Sequence, residues 1–359
     1  MPTIEGKSDY LPGLDGVRAI AIGAVIIDHT FFGPFTGGGL GVDIFFVLSG
    51  FLITRLLLME LRVAGRLRLG RFYTRRALRL YPPLLIALAL TFCLFLIVGD
   101  DYSTSPTWQA LLVAGLYISN LVNLHQGYLV QTWSLGVEEQ FYLFWPLALL
   151  LIPALRRSRW TLLALIVAFS VFRSVTSTGP NPYENRGLPW YCVDELLIGA
   201  LLAVCWVNDQ IPRWLAKPWV GAVVAACLVG AMVVTRSFTP YMLGGYTIFG
   251  LLVAVFIANL LLNPRRILSR ALEWKPIAAV GQVSYGIYLF HNPIFEAVKH
   301  LGLSRIPFIG LSYSATAIVT VASWFLVERP INRFRKRWHA KSLASAKLAS
   351  TPDQRVKEN

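Results

Sequence analysis

Charged residues are scarce in this chain, and their scarcity argues against most classes of protein. Of its 359 residues, 14% are charged and 55% are hydrophobic, whereas a soluble domain carries about 25% charged residues. The mean hydropathy is +0.57. These values argue against a soluble enzyme, a disordered protein and a disulfide-rich secreted scaffold. The composition therefore predicts an integral membrane protein.

Cysteine is also rare, and no two cysteines form a CxxC pair. The four cysteines are Cys93, Cys192, Cys205 and Cys227. All of them lie in apolar stretches, where cysteine behaves as a small hydrophobic residue, so neither a metal site nor a disulfide framework is indicated. The N-terminus lacks the basic region of a signal peptide, and we expect the first apolar segment to be retained as a helix.

Ten apolar segments predict an all-α polytopic membrane protein, because a transmembrane helix takes about 20 residues. The segments lie at about 14–33, 38–60, 83–99, 135–155, 159–176, 191–207, 217–235, 243–262, 277–296 and 310–328. An eleventh, weaker segment lies at about 108–124. We expect a transmembrane domain over residues 1–335, followed by a polar, disordered cytoplasmic tail over 336–359.

Basic clusters predict the orientation of the spans, since cytoplasmic loops carry an excess of Lys and Arg. The clusters lie at 62–79, 156–159, 213–217, 265–275 and 329–341. All five clusters face the cytoplasm if both termini are cytoplasmic and if the segment at 108–124 does not cross the membrane. We therefore expect that segment to be re-entrant or interfacial, in a multi-pass protein of the cell membrane. Contacts with lipid headgroups then explain the formal net charge of +14 without a nucleic-acid partner.

Arg18 and His29 place two ionisable side chains in the first span, where such groups are costly and mark function. They are 11 residues apart, which puts them on one stripe of a helix and about 16 Å apart along its axis. Arg18 then lies toward the cytoplasm and His29 toward the outer side. Asp15 can pair with Arg18 one turn away. The alternative is a structural Asp–Arg pair with a hydrogen-bonded interfacial histidine.

Three acidic residues are expected at the outer ends of their spans. Asp43 could orient His29 through a ring N–H, or it could cap the start of its helix. Glu138 is predicted about one turn inside the outer boundary, and Asp194 near the outer start of another span. The aromatic residues predicted at the membrane interface are Trp133, Tyr142 and Trp145.

Two arginines are expected at the cytoplasmic side. Arg76 and Arg79 are spaced i, i+3 and share a helical face. Two guanidinium groups at that spacing suit a phosphorylated ligand, while a positive-inside anchor is the simpler alternative. Pro82 and Pro83 are expected to start the following span.

The penultimate span carries a polar stripe. Ser284, Tyr288 and His291 are spaced i, i+4, i+7, and His291 is predicted at the depth of His29. A hydroxyl-rich packing face is the alternative. Together these placements predict a polar pathway with arginines at the inner side and groups capable of acid/base chemistry at the outer side.

Six motifs, in this order, resemble the integral-membrane acyltransferase-3 family. They are LDGVRAIAIGAVIIDH, GVDIFFVLSGFLI, RRALRLYPP, WSLGVEEQFYLFWP, SYGIYLFHNP and VERP, spread over about residues 10–335. The family includes O-acetylases of polysaccharides and acyltransferases of macrolide antibiotics. Some members carry a C-terminal secreted esterase-like domain and an extra span, which we expect this chain to lack.

The resemblance implies an enzyme that moves an acyl group, with acetyl expected, from acyl-CoA to a hydroxyl of a carbohydrate, glycoside or macrolide. No metal is expected. The catalytic residues would be His29, Arg18, Glu138 and His291. The residues expected to bind acyl-CoA are Arg76, Arg79 and Tyr285. Supporting roles are expected for Asp43, Asp194, Ser284 and Trp133.

Two other functions remain open at the level of sequence. A transporter or flippase could use a relay of His, Glu and Asp side chains for protons. The chain shows no sign of inverted repeats, however, and transport would leave the Arg76–Arg79 pair without a role. A structural membrane subunit is the third possibility.

Overall fold

The computed structural model describes residues 11, 13–30, 37–99, 107–122, 127–177, 186–235 and 240–333, which are helical and contain no strand. The predicted tail at 336–359 lies outside the described residues. The helices are α1 (Leu14–His29), α2 (Leu40–Ala64), α3 (Leu69–Val98), α4 (Thr107–Gly115), α5 (Thr132–Leu151), α6 (Ala154–Arg157), α7 (Arg159–Thr176), α8 (Pro189–Val207), α9 (Pro218–Val234), α10 (Tyr246–Leu262), α11 (Ile267–Leu272), α12 (Lys275–Gln282), α13 (Ser284–Lys299) and α14 (Arg305–Ser323).

Six helices in the described part of the chain are long and apolar enough to cross a membrane. They are α2, α3, α7 and α8, together with α10 extended back to Tyr241 and α14 extended forward to Arg333. The other predicted segments also contain helices, of 16 to 20 residues in α1, α5, α9 and α13. The architecture is therefore the all-α multi-pass membrane protein that the composition predicts.

Two predicted segment boundaries are wrong. The helix expected to start at Pro82 and Pro83 begins at Leu69 and continues through both prolines, so the arginines expected at the cytoplasmic side belong to the same helix as the span. The segment predicted at 277–296 is divided at Val283, where α12 ends and α13 begins. Hydropathy averaged over a span does not register such a break, because apolar residues resume within a few positions on each side of Gln282 and Ser284.

The weaker apolar segment near 108–124 does not form a spanning helix. Its helix, α4, has nine residues and is about 14 Å long, against a hydrocarbon thickness of about 30 Å. The chain then turns at Tyr117, whose φ of 55° lies in the left-handed region. The polar residues that follow are buried, including Ser119 and Asn120. This segment therefore enters the protein without crossing it.

Glycines bring α2 and α8 together at the centre of the bundle. A Cβ atom at Gly50 would lie 1.9 Å from the Leu196 carbonyl oxygen, and one at Gly199 would lie 2.1 Å from the Val47 carbonyl oxygen. Small residues of this kind let membrane helices pack backbone to backbone. The close contact holds α2 in place, and α2 contributes one wall of the cavity described next.

Candidate active site

A cavity of about 540 Å³ opens between α1, α2, α3, α5 and α13. This volume lies within the range of about 300–1,000 Å³ that small-molecule sites occupy. The polar residues that line it are Asp15, Arg18, Ser49, Arg55, Glu60, Arg71, Arg75, Arg76, Arg79, Ser134, Glu138, Tyr142, Ser284, Tyr285 and Tyr288. The cavity thus brings together six of the predicted site residues from four helices: Arg18, Arg76, Arg79, Glu138, Ser284 and Tyr285.

Two arginines of the cavity have defined contacts with their surroundings. Arg18 Nη1 lies 3.7 Å from Asp15 Oδ1, which confirms the predicted pair within α1. The Arg76 guanidinium carbon lies 3.5 Å from the centroid of the Tyr142 ring, a cation–π contact. Arg76 Nε is buried and has no hydrogen-bond partner among the described residues. The cavity therefore contains a cation whose donor capacity is partly unused.

Glu138 accepts two hydrogen bonds in the middle of the cavity. Ser49 Oγ donates to its Oε1 at 2.7 Å, and Tyr142 Oη donates to its Oε2 at 3.1 Å. Because Tyr142 also lies beneath Arg76, the three side chains form a carboxylate–phenol–guanidinium series. This arrangement corrects the prediction that Glu138 belongs with the outer group of residues, since it shares a cavity with Arg18 and Arg76.

The physical reason for that error is the position at which α5 begins. Gln131 and Thr132 are buried, and the Gln131 side-chain amide donates to the Leu289 carbonyl at 3.0 Å. The helix therefore starts inside the protein, so Glu138 lies deeper than a surface boundary implies. Tyr142 and Trp145 are likewise buried, and Trp145 Nε1 donates to Thr54 Oγ1 at 2.7 Å. Their predicted place at the membrane interface is wrong.

The two predicted histidines lie against each other. The ring centroids of His29 and His291 are 4.9 Å apart, with their planes at 85°. His29 Nδ1 lies 2.8 Å from the Val25 carbonyl oxygen, and His291 Nδ1 lies 2.7 Å from that of Tyr288. A carbonyl oxygen only accepts, so Nδ1 carries the hydrogen in both rings, and Nε2 is the basic atom of each neutral imidazole.

The two histidines differ in accessibility. His291 is fully buried, and its Nε2 has no hydrogen-bond partner among the described residues. His29 is only partly buried. Of the pair, His29 is therefore the ring that an incoming molecule can reach, and His291 lies behind it.

Tyr288 connects the cavity to the histidine pair. Its side chain lines the cavity, its hydroxyl lies 2.6 Å from Ser134 Oγ and donates to the Gln131 carbonyl at 3.0 Å, and its ring centroid is 5.6 Å from that of His291. Tyr288 therefore lies between the cavity and the histidine pair, and neither histidine is among the residues that line the cavity. Tyr285, one turn earlier, donates to the Leu80 carbonyl at 3.1 Å.

Asp43 and Asp194 lie in a separate buried network rather than beside the histidines. Asp43 forms an ion pair with Arg186, and neither predicted role, helix capping or orientation of His29, occurs among its described contacts. Asp194 Oδ1 lies 2.6 Å from Arg173 Nη1. The remaining expected supporting residue, Trp133, has its ring centroid 5.9 Å from the Arg186 guanidinium carbon.

Sequence reasoning missed Arg173, Arg186 and Glu195 in this network. Arg186 Nη1 lies 3.5 Å from Glu195 Oε1, and Arg173 also donates to Thr247 Oγ1 at 2.7 Å. The available signal was the presence of acidic residues within apolar spans, because a buried carboxylate requires a cation nearby. Among the described residues, no group of three or more His, Cys, Asp or Glu side chains could hold a metal ion.

Comparison with known proteins indicates the family to which a chain with this cavity belongs. The chain is 32% identical over 356 residues to the Bacillus subtilis protein named "Putative peptidoglycan O-acetyltransferase YrhL". It is 29% identical over 349 residues to the peptidoglycan O-acetyltransferase OatA of Listeria monocytogenes, and 29% identical over 352 residues to the O-acetyltransferase OatA of Staphylococcus aureus.

These matches cover 90% of this chain and between 55% and 57% of each relative, so the chain spans just over half the length of the proteins it matches. No solved structure shows a significant match. The family model described as an acyltransferase domain, that of the acyltransferase-3 family, matches residues 11–328 and therefore covers nearly all of the described helices. The chain belongs to this family of membrane acyltransferases.

Proposed function

We propose that this protein is a membrane O-acyltransferase that transfers an acyl group, acetyl in the simplest case, from acyl-CoA to a hydroxyl of a carbohydrate. The observation that carries the proposal is an arginine-lined cavity with a wall residue, Tyr288, whose ring contacts the His29–His291 pair. Family membership and the printed names of the relatives support it. The protein would lie in the cell membrane with both termini in the cytoplasm.

The arginine end of the cavity suits the phosphates of acyl-CoA. Arg76 and Arg79 line the cavity one turn apart, and guanidinium groups bind phosphate oxygens in bidentate pairs. In the proposed orientation the basic cluster that contains these residues would face the cytoplasm, so the acyl donor would come from that side. The pantetheine arm would then extend past Glu138 toward Tyr288, with Tyr285 at the wall.

The histidine end suits activation of the acceptor. The basic Nε2 of His29 would take the proton of the acceptor hydroxyl as its oxygen attacks the thioester carbon. A C–O bond forms, the C–S bond breaks, and the CoA thiolate leaves and is then protonated. His291, which is buried behind His29, would hold the ring of His29 in position. A short-lived acyl group on His29 is an alternative route to the same products.

Arg18 and Glu138 would act between these two ends. Arg18 offers positive charge to the negative oxygen that forms at the thioester carbonyl. Glu138 is held by Ser49 and Tyr142 and would keep Arg76 and Arg18 oriented.

The relatives favour a glycan acceptor, since two of them are named for peptidoglycan. A macrolide or another diffusible glycoside is the second class of acceptor to test. A transporter with a proton relay predicts movement of substrate without consumption of acyl-CoA, so radiolabelled acetyl-CoA distinguishes the two functions.

Acetyl transfer by the purified protein in lipid nanodiscs tests the proposal, with labelled acetyl-CoA and peptidoglycan fragments as acceptors. His29→Ala should lower kcat by about 10²- to 10⁴-fold, the usual contribution of a general base. His300→Ala is the matched control, because the His300 ring also contacts a carbonyl of its own helix, that of Glu296 at 2.9 Å, and lies outside the cavity. A correctly folded His29→Ala protein with the wild-type rate would refute the assignment.

A further inference from the structure

The lining of the cavity stops short of the histidines on both helices that carry them. On α13 the last residue that lines the cavity is Tyr288, three residues before His291. On α1 it is Arg18, which precedes His29 by 11 residues, or about 16 Å along the helix axis. A thioester held inside the cavity is therefore separated from the histidine pair, and Tyr288 stands at the point where the two regions are closest.

Tyr288 is held in this position by contacts from three other helical segments. Its hydroxyl donates to the Gln131 carbonyl at 3.0 Å and lies 2.6 Å from Ser134 Oγ. Its ring centroid is 6.3 Å from that of Phe45, which also lines the cavity, and 5.6 Å from that of His291. Only 6% of Tyr288 is exposed. The ring therefore fills the space between the inner end of the cavity and the histidines.

The proposed reaction requires the thioester carbon to pass this position. Reacting atoms must come within about 3–3.5 Å of each other, so the acceptor hydroxyl that His29 activates and the thioester carbon must meet beside His29. The contacts that hold the Tyr288 hydroxyl are neutral hydrogen bonds, which are individually weak, so a rotamer without them is accessible as a minor state. Buried polar groups need partners, and the amides of a pantetheine arm can bond the freed Gln131 carbonyl and Ser134 hydroxyl.

We propose that Tyr288 is a gate between the donor cavity and the His29–His291 pair, which the pantetheine arm displaces as it delivers the thioester to His29. The inference rests on the proposed function, because the arm belongs to acyl-CoA. The closed gate keeps the thioester away from the basic Nε2 of His29 until the arm is seated. It thereby limits the loss of the acyl group to water.

Bromoacetyl-CoA measures passage of the gate without acyl transfer. It keeps the whole CoA moiety and carries bromine on the carbon next to the thioester carbonyl. When that carbon reaches His29, Nε2 forms a C–N bond to it, the C–Br bond breaks and bromide leaves, and the imidazolium releases its Nδ1 proton to solvent. Mass spectrometry of the digested protein gives the rate of alkylation at His29. Excess CoA should suppress this reaction, because it competes for the cavity.

Two variants weaken the closed gate without removing the ring. Tyr288→Phe loses the hydroxyl, so alkylation at His29 should rise by about two- to tenfold, the factor that a neutral hydrogen bond represents. Ser134→Ala should raise it by a smaller factor, and the double variant should add little to Tyr288→Phe because both changes remove the same interaction. Tyr73→Phe is the matched control and should have no effect, since the Tyr73 hydroxyl also donates to a carbonyl, that of Leu143 at 2.8 Å, and does not line the cavity.

Hydrolysis of acetyl-CoA without an acceptor is the second measurement. It should rise in Tyr288→Phe while the KM for acetyl-CoA stays at the wild-type value, because the arginines of the cavity are unchanged. Calorimetric binding of CoA identifies any variant that has misfolded.

Three results would overturn the gate and leave acyl transfer standing. The first is an equal or lower rate of alkylation in both Tyr288→Phe and Ser134→Ala compared with the wild type. The second is alkylation at His29 that excess CoA does not suppress, and the third is acetyl transfer by a wild-type protein in which bromoacetyl-CoA never alkylates His29. A wild-type protein that neither binds nor consumes CoA thioesters overturns the proposed function itself.

Discussion

The ion pair between Asp43 and Arg186 is almost completely buried, and breaking it tests what the buried network of Asp43, Asp194, Arg173, Arg186 and Glu195 does. The exposed fractions of the two side chains are 1% and 4%. Asp43→Asn removes one charge and leaves the Arg186 guanidinium in the interior. Loss of one partner of a buried pair costs about 3–5 kcal/mol. Glu195 remains 3.5 Å from Arg186 and still offsets part of its charge. We therefore expect Asp43→Asn to lower the free energy of unfolding by about 3 kcal/mol, the lower end of that range.

Two comparisons make this prediction specific. The Glu296–Lys299 pair has exposed fractions of 20% and 35%, so Glu296→Gln should cost about 0–1 kcal/mol. Combining Asp43→Leu with Arg186→Met and Glu195→Gln removes the charge of Arg186 and of both its carboxylate partners, and it should recover most of the stability lost in Asp43→Leu alone.

Unfolding in mixed micelles, followed by circular dichroism, measures all of these variants. A cost for Asp43→Asn no greater than that for Glu296→Gln would refute the reasoning from burial. Acetyl transfer distinguishes a structural role from a catalytic one. If the role of Asp43 is only structural, the folded Asp43→Asn protein keeps the wild-type kcat. Unchanged stability with a large loss of kcat would instead assign Asp43 a role in catalysis.

Two further predictions concern the cavity and the helix packing. Glu138→Gln should lower kcat/KM for acetyl transfer by about tenfold or more. The loss should exceed that of Ser49→Ala, because hydrogen bonds to a charged group are stronger than neutral ones. Equal losses in the two variants would contradict a role for the negative charge of Glu138. Gly50→Ala should destabilise the protein by about 1–3 kcal/mol, since its Cβ would overlap a carbonyl of α8. Gly230→Ala, with no atom within 4 Å of the added Cβ, should be neutral or slightly stabilising in the same unfolding assay.

Features set by local spacing were predictable from the sequence. The Asp15–Arg18 pair depends only on helical geometry, and the structure contains it. Hydropathy located the apolar helices, and the charge of the loops excluded a crossing near 108–124. The placement of His29 and His291 at a similar depth also followed from their positions in their spans, and the structure brings the two rings together.

Features that depend on the tertiary structure could not be predicted from local spacing and hydropathy. Counting residues from a hydropathy boundary assumes that a helix starts at the membrane surface. The start of α5 is instead covered by protein, so Glu138 lies among the arginines and not near the outer boundary. The same assumption assigned Tyr142 and Trp145 to the interface, although both are buried and hydrogen-bonded.

The buried ion network shows that a search for functional residues in a membrane protein must consider the ion-pair partner of each charged residue as well as its position in a span. A carboxylate in a span is expensive, and that cost alone made Asp43 and Asp194 candidates for the site. Arg186 and Arg173 offset much of the cost, because each lies in an ion pair with one of these carboxylates. The cavity differs in that its arginines outnumber its carboxylates and its walls enclose open space. A buried donor atom of a cavity residue that lacks a hydrogen-bond partner among the described residues, as Arg76 Nε does, is therefore the feature that points to a ligand here, rather than burial of charge by itself.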